Sequence, residues 1–80
     1  MRSVLLTLLK ALVDEPEALE LTEVLGEQTL FYELRCSPDD VGSVIGKNGK
    51  TISAIRTLMN ALSQREGLNT VFEVIEPPHA

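Results

Sequence analysis

Gly46-Lys47-Asn48-Gly49 is followed directly by Lys50, with Val44 and Ile45 before it and Ile52 just after. Glycines three apart let a bend take positive φ and let another backbone come close with no Cβ in the way. Asn48 tolerates left-handed geometry and can donate a hydrogen bond, while Lys47 and Lys50 add mobile positive charge. These residue types in this order suit the capture of an anion. Lys50 also opens a long periodic segment, so the loop precedes a helix. The first turn of a helix carries unpartnered N–H groups and the positive end of the dipole, and a phosphate placed there is held before any side chain contributes. Val41, Val44, Ile45, Ile52 and Ile55 are read as an apolar floor beside the loop. A charged lip over an apolar floor suits a single strand, backbone on the lip and base faces on the floor. Arg56 either reaches a phosphate or stays solvated.

The elements that must position this loop follow from the hydrophobic pattern. Val4, Leu5, Leu8, Leu9 and Leu12 make the stripe of a first helix over residues 2–13, ended by Asp14-Glu15-Pro16. Ser3, Thr7, Lys10 and Asp14 share its other face, so the opening residues read as an amphipathic helix and not as a signal peptide. Residues 20–25 form a weakly alternating strand, Gly26-Glu27-Gln28 a turn, and residues 29–36 a clearer strand in which Leu30, Tyr32 and Leu34 alternate with Phe31, Glu33 and Arg35. Ser37-Pro38-Asp39-Asp40 marks a helix start, with serine as cap and proline at the first position, for a helix over 38–45. The helix after the loop runs from Lys50 to about Arg65 and stops at Gly67. Residues 70–76 are a third strand, and Pro77-Pro78-His79-Ala80 is a short tail.

The order is helix, strand, strand, helix, helix, strand. A two-helix crossover makes the second and third strands parallel neighbours, whereas the short turn makes the first pair antiparallel. The fold class is therefore α+β: a three-stranded mixed sheet with three helices on one face, residues 1–76 forming one domain. At 44% apolar the chain can form a core, but one this short buries only about 60% of its surface, and a dimer would help stabilise it. The net charge of −5 argues against nucleic acid until it is mapped. Residues 1–40 carry three basic and nine acidic side chains, and residues 66–80 carry three acids. Residues 41–65 carry Lys47, Lys50, Arg56 and Arg65 and no acid. A local basic patch thus sits on an acidic body.

Val44-Ile45-Gly46-Lys47-Asn48-Gly49 followed by Thr51-Ile52 resembles the GXXG loop of KH domains, which clamps single-stranded nucleic acid. The element order resembles the type II arrangement. Val13-Asp14-Glu15-Pro16 and Ser53-Ala54-Ile55-Arg56-Thr57 are most similar to the small bacterial KH-domain RNA-binding protein A (KhpA-type) family. That resemblance implies a cytoplasmic, non-catalytic RNA-binding protein without marked sequence preference, an RNA chaperone or post-transcriptional regulator linked to cell elongation and envelope control. It implies single-stranded RNA at Gly46, Lys47, Asn48, Gly49 and Lys50, with Val41, Ile45, Ile52 and Arg56 beside them. It also implies a homodimer, or a heterodimer with a larger KH-containing Jag-type protein. Where family members carry extra lysines, this chain has Asn60, Ser63, Gln64, Leu68 and Asn69, which lowers the expected affinity.

In the long helix Ile52, Ile55, Met59 and Leu62 form the core stripe, with Ala54, Leu58 and Ala61 in a second row beside it. That row is either a wider core face or a surface that buries a partner's helix, which leaves a dimerisation adaptor as the alternative function. Cys36 cannot pair internally and reads as a small buried apolar residue at a strand end. Gly42 is read as a packing position. His79 has no ligand partners nearby, and no nucleophile–base pair or nucleotide fingerprint occurs, so no metal, cofactor, small-molecule substrate or catalysis is expected. No run is long enough to span a membrane.

Overall fold

A computed structural model describes residues 1–76; the tail at 77–80, including His79, lies outside the described residues. The elements are α1 (Arg2–Leu12), β1 (Glu20–Leu25), β2 (Thr29–Arg35), α2 (Val41–Ile45), α3 (Lys50–Gln64) and β3 (Asn69–Val74). The sheet order is β1-β2-β3, antiparallel then parallel, as the connections require. The fold is α+β with three helices over a three-stranded mixed sheet.

Alternation decides which face of the sheet is covered. Leu30, Tyr32 and Leu34 on β2 and Phe72 on β3 point into the core, where they meet Leu5 and Leu9 of α1, Val44 of α2, and Ile52, Ile55 and Met59 of α3. The opposite face is open. There Val24, Phe31 and Val71 stand side by side across the three strands, all exposed. Tyr32 is the one buried phenol, and its hydroxyl donates to the Glu23 carboxylate on β1. Burial first, and then this bond and the Glu23 charge, push the Tyr32 pKa well above its usual value.

The structure departs from the sequence reading in several places, β3 among them, which ends at Val74 and does not run on to residue 76. Residues 38–40 form a 3-10 turn, and the α-helix starts only at Val41. A second 3-10 turn, Pro16–Ala18, fills the connection after α1. Ser37 makes no side-chain cap; its carbonyl instead accepts the Asp40 amide at 2.8 Å. The acid beside it has the larger role. Asp40 is 1% exposed, and its two carboxylate oxygens accept the amides of Asp14 and Glu15 at 3.0 Å each. The end of α1 is thereby tied to the start of α2, immediately before the glycine loop. At the far end of α3, Gly67 takes φ +74°, with its amide on Gln64 O and the Leu68 amide on Ser63 O. That pair of bonds is a Schellman stop, and Leu68 packs on the core as such stops commonly require.

Candidate nucleic-acid interface

The loop is closed by α2 on one side and opened by α3 on the other, with a short 3-10 turn over Lys47–Gly49 between them. Gly46 (φ +78°), Asn48 (φ +56°) and Gly49 (φ +72°) all lie in the left-handed half of backbone space. The two glycines are needed for different reasons. A Cβ on Gly46 would sit 2.2 Å from Thr51 Oγ1 and 2.8 Å from the Thr51 amide nitrogen, so the start of α3 packs directly on that Cα. A Cβ on Gly49 would meet no described residue within 4 Å. Gly49 therefore faces open space, where an incoming backbone can approach.

The amides divide in the same way. Gly46 N–H donates to Gly42 O at 2.8 Å, Gly49 N–H to Gly46 O at 3.1 Å, and Lys50 N–H to Lys47 O. These three hold the bend in shape, so the loop is less rich in free donors than a bare helix start implies. The amides of Lys47 and Asn48 donate to no other described residue. Lys47, Asn48 and Lys50 are exposed, and the Arg56–Glu73 pair is the single salt bridge among the described residues, which leaves both lysines unpaired there.

The expected apolar floor is smaller than its five residues. Val44 is fully buried, and Ile52 and Ile55 are 8% and 5% exposed, so these three belong to the core and have little surface for a base. Val41 and Ile45 are half-buried and remain beside the loop. Periodicity identifies an apolar face but does not say what covers it; here α1 and the sheet together do. Arg56 is not simply solvated. Its Nε donates to Phe72 O at 3.1 Å, and its Nη2 lies 3.5 Å from the Glu73 carboxylate.

Helical geometry sorts α3 into two flanks. Gly49, Ser53, Arg56 and Asn60 follow one another at four, seven and eleven residues, on one side. That side meets β3: the Asn60 side-chain oxygen accepts the Thr70 amide at 3.1 Å, four residues along from the Arg56 bond to Phe72 O. The Asn69 and Ile75 amides bond to β2, so the alternate groups at Thr70 and Phe72 point to the free edge, and side chains of α3 cap them there. Sequence reading counted Asn60 as a missing lysine and missed this role. Thr51, Ala54 and Leu58 lie on the other flank, where with Leu8, Ala11 and Leu12 of α1 they line a shallow apolar groove of about 260 Å³. Leu58 is 42% exposed, and Ala54 and Ala61 are exposed as well, so the second row is not a wider core face. Cys36 is half-buried, and burial, followed by the nearby Asp40 charge, raises its thiol pKa.

Among the described residues no cluster of His, Cys, Asp and Glu could hold a metal, and no helix is long and apolar enough to cross a membrane. No solved structure gives a significant match. Among curated proteins the chain is 45% identical over 69 residues to the RNA-binding protein KhpA of Caldanaerobacter subterraneus subsp. tengcongensis, covering 86% of this chain and 92% of that one. It is 43% identical to the Clostridium acetobutylicum protein of the same name (94% and 100% covered) and 42% identical to that of Chlamydia trachomatis (95% and 97%). A family model described as KhpA/KhpB, KH domain matches residues 2–74, and the chain belongs to that family.

Proposed function

We propose that this chain is a non-catalytic RNA-binding module that seats phosphates of a single strand on the Gly46–Gly49 loop. One observation carries the reading: a bend with two amides unclaimed by described residues, open space over Gly49 and unpaired Lys47 and Lys50, all at the N-terminus of a 15-residue helix. The phosphate binds the Lys47 and Asn48 amides, with the lysines adding charge. Val41 and Ile45 offer the apolar contact for a neighbouring base, and the strand continues along the α3 flank that carries Arg56. The name RNA-binding protein KhpA, borne by the relatives above, supports the same ligand. In that setting the protein acts in the cytoplasm as an RNA chaperone or post-transcriptional regulator tied to cell elongation and envelope control.

The exposed row at Ala54, Leu58 and Ala61 favours a second role, contact with another KH-containing protein: a second copy or a larger Jag-type partner. Because that row is on the flank of α3 away from Arg56, strand binding and pairing do not compete for surface. Crosslinking of the protein to cellular RNA separates the roles. Lys47→Asp with Asn48→Asp is expected to abolish crosslinking with the fold intact, and crosslinking that persists would overturn the loop assignment. Leu58→Glu is expected to give a folded monomer by mass in solution, still able to crosslink; an unfolded chain would mean that Leu58 is needed for the core.

A further inference from the structure

Of the four cations between residues 41 and 65, only Arg56 is engaged by partners among the described residues, and the two contacts differ in kind. Nε donates to the Phe72 carbonyl at 3.1 Å in a part-buried bond, which holds the guanidinium against the β3 edge. Nη2 lies 3.5 Å from Glu73 Oε2, with the two side chains 41% and 59% exposed. The second contact is at the outer limit of hydrogen bonding and open to water, so it exchanges readily. A guanidinium anchored by one nitrogen, with another turned toward an exposed carboxylate, presents a seat for which a phosphate oxygen can compete. Arg56 comes seven residues after Gly49 on the same flank of α3, about 10 Å along the axis. A strand that leaves the loop along that flank brings its next phosphates over it.

We propose that Glu73 sets the affinity for single-stranded RNA by occupying the Arg56 nitrogen that a phosphate of the bound strand takes over. The inference rests on the strand-binding reading of the loop and adds a residue that itself touches no part of the strand. In the free protein Nη2 faces Glu73; in the complex it faces phosphate, while the Nε bond to Phe72 O persists. Breaking the carboxylate contact is a cost of binding, so Glu73 acts as a positioning residue that weakens the complex. A built-in control stands beside it. Glu33 is the partner of Glu73 across β2 and β3, exposed on the same open face and in contact with no described cation. Glu33→Gln removes the same charge from the same face without freeing Arg56.

The test is fluorescence anisotropy of a labelled oligouridylate titrated with the full chain at several salt concentrations. The variants are Glu73→Gln, Glu33→Gln, Arg56→Gln, Glu73→Gln in the Arg56→Gln background, and the Lys47→Asp/Asn48→Asp loop variant. Glu73→Gln is expected to tighten binding about two- to fivefold, the range an exposed ion pair converts to. Its slope of log affinity against log salt should steepen by up to about 0.7, the increment for one phosphate on a single strand. Glu33→Gln should give a clearly smaller gain, and Glu73→Gln should add no more than that once Arg56 is gone. If Glu73→Gln matches Glu33→Gln, or keeps its gain without Arg56, the inference fails while the loop assignment stands. If the loop variant binds as well as the wild type, or the wild type binds no oligouridylate, both fail.

Discussion

Gly46 and Gly49 share a left-handed backbone but answer to different neighbours, and substitution separates them. Gly46→Ala combines an unfavourable φ with a Cβ driven into the Thr51 backbone, so the start of α3 must shift. A stability loss of about 2–3 kcal/mol is expected, measured by urea unfolding. Gly49→Ala incurs the backbone term alone, about 1–2 kcal/mol, because no described residue lies within 4 Å of its Cβ. Its larger effect should be on binding, where the added methyl meets the incoming strand. Equal stability losses for the two would contradict the close packing of Thr51 on Gly46. The glycine spacing was legible because it rests on local backbone chemistry. Asp40 was not: its acceptors serve amides 25 and 26 residues away, and no local pattern distinguishes it from an ordinary first-turn acid such as Asp39.

Among the elements, the sheet and α3 were read correctly in kind, and the errors came where one element covers another. The alternation in β2 and the three-and-four spacing in α3 are properties of single segments. That Val44, Ile52 and Ile55 belong to the core and not to a floor beside the loop depends on α1 and the sheet packing against them. The Arg56 and Asn60 contacts likewise exist because β3 runs past that flank of α3 with its edge groups unpaired. The β1–β2 pair carries a pH dependence of its own. The Tyr32 phenol has its pKa raised in the folded state, so the native protein holds that proton more tightly than the unfolded chain does. Its contribution is complete below the ordinary tyrosine value near 10 and is lost as pH rises toward the higher folded value. The stability advantage of the wild type over Tyr32→Phe should be flat from pH 7 to about 10 and shrink above it. A difference that stays constant to higher pH would contradict the buried phenol–carboxylate pairing.

For the whole molecule, the sign of the net charge points the wrong way and its distribution the right one. An acidic body repels nucleic acid at long range, while Lys47 and Lys50 at the loop attract it within about 10 Å at moderate salt. Binding by such a molecule is expected to be local, and the contact should be confined to one end of α3 and the flank running from it. The fold keeps two surfaces apart: Arg56 on the β3 side of α3, and the exposed Leu58 row on the α1 side. The measurement that bears most directly on the phosphate seat is an amide NMR titration of the full chain with a short single-stranded RNA. The Lys47 and Asn48 amide signals should move first and furthest, with Gly49 close behind and the Val24, Phe31 and Val71 face unmoved. Binding that leaves the Lys47 and Asn48 amides where they were, while signals elsewhere shift, would contradict it.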